Sequence, residues 1–409
     1  MKFKNISVDE YKAFWENHPL KSFLSASEIG KLREKSGWTT YYLGVFDNKK
    51  LVGAVMLLSH KRHFGKCEFY APRGLLVDFN DKKVLNFFLE NIKEFVKKHN
   101  GYVFRMDPYV INRERDLDGN IVEDGADNSS LVKYLENYGF RKVPISDMEQ
   151  VGWMFSLGLE GKDEKQILKE MKSNTRNTIR KTEKIGITIR ELSYDELDEF
   201  EKIMIETGER KNFSVRSLSY FQNMYKLFAD KGEVKYFITE LDLDKYIKRL
   251  EKEKCEKEDK IKSLSDAKYN DGQKKGLTNE INSIKKRICD AKEIIKDEGT
   301  NVITLSGSMF ILIQPEIIYL SSGNYSKFMK FNSQYLLQWM MIKYGIEHGF
   351  KKHNFYGIPA NINTHPKDYG IYEFKRGFNG YVEELIGEFE LPITWQYYLF
   401  KFIKKLKKR

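Results

Sequence analysis

The stretch from Asp242 to Asp297 constrains this chain more than any other. It is proline-free and dense in charge, and its later half sets Leu277, Ile281, Ile284, Ile288, Ala291 and Ile295 at alternating steps of four and three. That spacing lays one apolar stripe along a helix, a heptad seam that needs a partner. The earlier half supplies it: Ile247, Leu250, Ile261 and Leu264 fit the seam, and Lys254 and Lys257 interrupt it. Asn270-Asp271-Gly272 lies between the halves and can turn the chain. The spacing predicts an antiparallel coiled-coil arm over 241–300. Val234–Glu240 before it reads as a strand, as do Asn301–Ile313 and Glu316–Ser322 after it. The arm therefore stands where a short turn would join two strands. It is an insertion inside a domain, not a linker between domains. Its positive and negative charges nearly balance, so partner contacts, RNA contacts by single lysines and a solvated arm packed on itself all stay open.

The rest of the chain alternates strands and helices. YYLGVF, DNKK and LVGAVMLL spell strand, turn and strand between Trp38 and Ser59. Cys67–Val77 is a third strand candidate. Lys83–His99 carries its apolar residues at helical spacing and is closed by Gly101, and a strand starts at Tyr102. A second such unit begins near Val151: basic helix Asp163–Lys184, helix Ser193–Lys211, then the strands flanking the arm, helix Ser333–His348 and strand His353–Gly357. At 409 residues two or three domains are expected. The expected division is 1–150, then 151–240 and 301–395 as the two parts of a second domain around the arm, with a basic tail over 396–409. The fold class is α+β, mixed sheets flanked by helices.

Composition narrows the chemistry. Lys and Arg outnumber Asp and Glu by 70 to 59. That excess suits a polyanion: nucleic acid, an anionic lipid surface or a diphosphate. Cys67, Cys255 and Cys289 are dispersed, and the seven histidines show no HExxH spacing, so neither a disulfide framework nor a metal site is expected. The first twenty residues lack the apolar core of a signal peptide, and no run of 18 apolar residues occurs, so a cytoplasmic chain is expected. The tail WQYYLFKFIKKLKKR is aromatic and basic, and suits either the inner membrane face or a solvated helix end.

Four segments carry a resemblance: FYAPRGLLVDF at Phe69–Phe79, YVFRMDPYV at Tyr102–Val110, HNFYGI at His353–Ile358 and DYGIYEFKRGFNGYVEELIGEF at Asp368–Phe389. With the arm, they resemble the Fem family of peptidoglycan interpeptide-bridge aminoacyltransferases, most of all the staphylococcal members that add glycine. The resemblance implies two GNAT-like domains with the arm in the second. It implies an aminoacyl-tRNA donor, and an acceptor such as lipid II or a UDP-MurNAc-peptide-type precursor. Glycine is favoured, with serine and alanine open. An amine attacks an ester that is already activated, so no cofactor beyond the charged tRNA is expected; orientation alone can supply roughly 7–11 kcal/mol.

The resemblance also assigns residues. Lys35 in EKSGW, and Arg216 and Tyr220 in SVRSLSYF, match diphosphate-binding positions, and the last two share a face if that segment is helical. Phe374 and Lys375 in FKRGF match a pair at the tRNA acceptor end, where bases stack on aromatics and Lys375 can face the developing oxyanion. Tyr319 in YLSSG matches a tyrosine near the substrate cleft. From its own chemistry Asp107, in RMDP, is a general-base candidate; a strand-end turn is the alternative. Arg73 and Gly74 in APRG match a recurring motif and read as a structural turn. The basic run Lys172–Lys184 is a tRNA contact or a solvated face.

Competing functions are an acyl-CoA N-acyltransferase, a non-enzymatic RNA-binding coiled-coil protein, and transfer onto protein N-termini. The first wants an [RQ]xxGx[GA] turn opening a helix, and RHFGKC at Arg62–Cys67, the nearest match, lies between strands.

Overall fold

A computed structural model describes residues 1–265, 268–360 and 366–407. Two mixed sheets form its frame, as an α+β chain requires. In the first, Lys2–Asn5, Thr39–Asp47, Lys50–Lys61, Cys67–Ala71, Gly101–Met106, Phe389–Pro392 and Arg141–Lys142 lie side by side. In the second the order is Thr188–Glu191, Val234–Asp242, Val302–Ile313, Glu316–Asn324, Lys352–Gly357, Trp153–Gly158, Tyr381–Leu385 and Ile111–Arg115. Each sheet holds one parallel pair, Cys67–Ala71 with Gly101–Met106 and Glu316–Asn324 with Lys352–Gly357. The division at residue 150 does not separate the sheets. Ile111–Arg115 precedes it and joins the second sheet, while Phe389–Pro392 returns from the far end to the first.

Local chemistry explains the best-formed elements. Asn48 and Lys49 both take positive φ, 44° and 72°, as a two-residue hairpin turn between right-twisted strands demands. Asp81 caps the helix Lys82–Lys98 by accepting from the backbone N–H groups of Lys83 and Val84. Its stripe of Leu85, Phe88, Leu89, Ile92 and Val96 is buried against the first sheet. Gly101, where the chain re-enters that sheet, has no room for a side chain: a Cβ there would lie 2.2 Å from Val96 Cγ1 and 2.7 Å from the Val96 carbonyl oxygen. Gly101→Ala is expected to cost about 1–3 kcal/mol, read by denaturant unfolding, with the fold retained.

The arm leaves and re-enters the second sheet as expected. Asp242 caps the helix Leu243–Ser263, accepting from the backbone N–H of Lys245. The helix Asp271–Glu298 ends on Gly299 in the left-handed region, and Asp242 pairs with Val302 across the ladder. Lys257 reaches Glu280 at 2.5 Å and Asp244 accepts from Asn301 at 2.7 Å, so the helices run antiparallel. Leu277, Ile281, Ile284 and Ala291 are buried, and Ile288 and Ile295 partly so. One expectation fails: Asp271 and Gly272 lie inside the second helix rather than in the turn, and Asn270 just before it donates from its side chain to the Ser265 carbonyl at 3.0 Å.

Two further expectations are corrected. Asp163–Lys184 is two helices, Glu164–Glu170 and Ser173–Ile185, because the Lys172 N–H donates to the Gly377 carbonyl while Arg176 caps the carbonyls of Lys169 and Met171. Cys67–Val77 breaks into Cys67–Ala71 and Leu76–Val77, since Arg73 turns inward with φ 49°. One core cluster spans both sheets, joining Met56, Leu58 and Tyr70 of the first to Phe200, Tyr236 and Ile311 of the second half. No helix among the described residues is long and apolar enough to cross a membrane.

Candidate active site

Where the two halves meet, a cavity of about 750 Å³ opens. The first half contributes Arg33 and Lys35 from the end of the helix Ser27–Glu34. The second contributes Arg216 and Tyr220 around the start of the helix Leu218–Phe228. Arg216 lies before that helix rather than on it, with Ser217 as the cap residue, so the pairing with Tyr220 does not arise from a shared helical face. The guanidinium instead stands 5.3 Å from the Tyr220 ring centroid. Burial pushes the Tyr220 hydroxyl up, and the cations Arg216 and Arg33 pull it back. Lys35 donates to Asn223 Oδ1 at 2.5 Å, tying the two halves across the mouth. Arg33 is ion-paired with Glu149 at 3.1 Å. Exposed cations, a phenol and the hydroxyls of Ser217 and Ser219 thus converge, the donor set a diphosphate needs.

Tyr356 lines the same cavity; it lies within HNFYGI but is not among the expected site residues. Its backbone has φ 65°, a conformation that costs a non-glycine residue roughly 1–3 kcal/mol and that is held here from two sides. Its N–H donates to Asn354 Oδ1 at 2.8 Å. Its carbonyl, and that of Gly357, accept from Lys375 Nζ at 3.4 and 2.6 Å. Lys375 comes from the helix Pro366–Arg376 and does not itself line the cavity. It is buried, without a carboxylate partner among the described residues, and burial lowers its ammonium to about 7. Its place is behind Tyr356, one residue removed from where a substrate can sit.

Asp107 is likewise behind the wall. It is fully buried, and its Oδ1 accepts from the Tyr70 hydroxyl at 2.9 Å and the Arg73 N–H at 2.8 Å. The Arg73 guanidinium pairs with its Oδ2 at 3.3 Å and donates to the Val151 carbonyl at 2.8 Å. Val151 and Tyr356 both line the cavity, so Arg73 is the layer between Asp107 and any substrate. Burial pushes the Asp107 carboxyl up to about 6 although Arg73 opposes it. Arg73 makes the turn expected of it, with φ 49°, and its side chain lies buried behind the cavity wall at Val151.

Two predicted residues lie elsewhere. Tyr319 faces away from the cavity, its hydroxyl donating to Gln334 Oε1 at 3.1 Å and meeting the Ser322 hydroxyl at 2.5 Å. The next residues, Leu320 and Ser321, reach the cavity instead, because the ladder bulges there: Phe310 pairs with Tyr319 and Met309 with Ser321, leaving Leu320 extra and re-aiming the strand. Phe374 packs edge-on to Tyr335 at 4.8 Å and against Phe378, as part of the second half's core. In the basic run, Arg180, Lys181 and Lys184 are exposed along Ser173–Ile185, while Arg176 is committed to capping.

Known proteins resemble this chain along nearly its whole length. The model of the FemAB family matches residues 6–405. Aminoacyltransferase FemB of Staphylococcus epidermidis is 30% identical over 419 residues, covering 100% of this chain and 99% of that protein. Aminoacyltransferase FemA of Staphylococcus epidermidis is 30% identical over 421 residues, covering 100% of each. A crystal structure of FemX shares the fold, with a TM-score of 0.75 at 24% identity over 98% of this chain and 99% of that one.

Proposed function

The chain belongs to the FemAB family and is an aminoacyltransferase, and from that premise we propose that it carries an amino acid from a charged tRNA onto a peptidoglycan precursor. The observation that carries this reading is the convergence of Lys35, Arg216 and Tyr220 from both halves into one cavity. They are the groups that would grip the diphosphate of lipid II or of a UDP-MurNAc-peptide-type precursor. The precursor's free amine then attacks the carbonyl of the aminoacyl ester. A C–N bond forms, the C–O bond to the terminal ribose breaks, and the amine's proton leaves to solvent or to the departing ribose oxygen. The donor is already activated, so positioning supplies most of the acceleration and no cofactor beyond the tRNA is needed. Tyr356, clamped by Lys375 and backed by Arg73, marks the wall nearest the reacting groups. The tRNA approaches along Arg180, Lys181 and Lys184, with the Phe374–Lys375 helix supporting the acceptor end from behind.

The test is incubation with lipid II and mixed charged tRNAs, read by mass spectrometry. Glycine is the first increment to look for, with serine and alanine beside it. Transfer from labelled acetyl-CoA, with none from tRNA, would overturn the reading. Lys35→Ala and Arg216→Ala are each expected to raise KM for the acceptor about 10–100-fold, since a charge-assisted hydrogen bond is worth roughly 1.5–3 kcal/mol. Both side chains are exposed, so melting temperature should not move.

A further inference from the structure

The helix Gln396–Lys407 presents an apolar face to solvent. Trp395, Tyr398, Phe402 and Leu406 are 67%, 52%, 61% and 55% exposed, and steps of three and four put all of them on one side. This is no loose tail, because its opposite side is anchored. The Tyr397 hydroxyl donates to Glu390 at 2.8 Å, Lys401 pairs with Glu390 at 2.6 Å, and Phe400 meets Tyr102 edge-on at 4.8 Å. Beside the helix, Phe64 stands 83% exposed at the tip between two strands, its ring stacked on Phe400 at 6.2 Å.

We propose that this helix and Phe64 form a docking surface for an anionic lipid bilayer. Charge selects that occupant. From Gln396 to Arg409 the sequence has six cations and no acid, and Lys61, Arg62 and Lys66 bracket Phe64. Arg141 stands beside Tyr398, donating to its hydroxyl at 3.2 Å. Arg62 and Lys401 are paired with Glu68 and Glu390 beneath the stripe, and the sequence leaves cations in excess around it; an aromatic stripe with a cationic excess matches the boundary between acyl chains and acidic headgroups. A second copy of this face would bring like charges together. A relay of ion pairs also connects the surface to the acceptor cavity. Arg33 at the cavity pairs with Glu149, Glu149 with Arg105 at 3.2 Å, Arg105 with Glu390 at 4.0 Å, and Glu390 with Lys401 of the helix. A lipid-linked acceptor would therefore emerge from the bilayer next to the residues that hold its phosphates. Only this last point rests on the proposed acceptor; the docking itself does not.

Vesicle flotation tests it, with phosphatidylglycerol-rich vesicles against pure phosphatidylcholine and no precursor present. The full chain should float with the anionic vesicles, release in high salt, and show a blue shift of tryptophan emission that Trp395→Phe removes. The triple variant Trp395→Ser, Phe402→Ser, Leu406→Ser should bind at least about ten-fold more weakly while keeping its melting temperature. It should also keep its rate on a water-soluble UDP-linked acceptor. No binding by the native chain, equal binding to neutral vesicles, or undiminished binding by the triple variant would each overturn the proposal. Vesicle binding without any aminoacyl transfer would leave it standing and refute the proposed substrates instead.

Discussion

Replacing Lys375 with methionine is expected to lower kcat/KM about a hundred-fold without unfolding the chain. The side chain is matched in length and apolar bulk, so the core around it stays filled. What is lost is the donor to the Tyr356 and Gly357 carbonyls, the clamp that holds Tyr356 at positive φ. Without it the backbone can relax, and a displacement of about 1 Å at a reacting wall can cost roughly 10² in rate. An unchanged kcat/KM would show that Lys375 is packing alone. Stability supplies a second readout. Burial holds the native ammonium down to about 7, while in the unfolded chain it titrates at the ordinary lysine value. Between those pH values the unfolded state binds the extra proton, so native stability rises with pH from about 7 upward. Lys375→Met should lack that rise, which melting curves across alkaline pH would reveal.

Asp107→Ala is the substitution expected to cost most stability, about 3–5 kcal/mol in denaturant unfolding. It strands the buried Arg73 guanidinium without its counter-charge and removes the acceptor for two further hydrogen bonds. Asp107→Asn separates structure from chemistry, because an amide oxygen can still accept from Tyr70 and from the Arg73 N–H. Burial raises the native carboxyl to about 6, above its unfolded value. Protonation on acidification therefore stabilises the fold relative to neutral pH, and that contribution is lost as pH rises through about 6. Activity should run the other way. Below about 6 the ion pair that anchors Arg73 under the cavity is discharged, so kcat/KM should fall on the acid side, and Asp107→Asn should abolish that limb. Persistence of the limb in the Asn variant would assign it to another group.

What the sequence disclosed was mostly what is local. The arm is legible because a heptad seam is written in consecutive turns, and the first hairpin because Asn48 and Lys49 sit between alternating strands. Lys35, Arg216 and Tyr220 were legible through short segments whose family resemblance is strong, although nothing local says that their elements meet. The failures share one cause. Helix Asp163–Lys184 breaks at Met171–Lys172 through a hydrogen bond to Gly377, some two hundred residues away. Strand Cys67–Val77 breaks because Asp107 draws Arg73 inward. Tyr356 adopts a glycine-like backbone held by Lys375, and no residue beside it signals that.

The crossing of Ile111–Arg115 into one sheet and Phe389–Pro392 into the other makes the halves interlocked, like two links of a chain. Neither half can be expressed alone without an orphaned sheet position, so truncation at residue 150 should give insoluble fragments rather than two working lobes. The same crossing limits motion. A wide hinge between the halves would have to bend both crossing segments together, bonded as they are through the Ile386 N–H and the Val110 carbonyl, and open the core the two sheets share, so substrates are admitted by swinging side chains such as Lys35 and Arg216 rather than by the lobes parting.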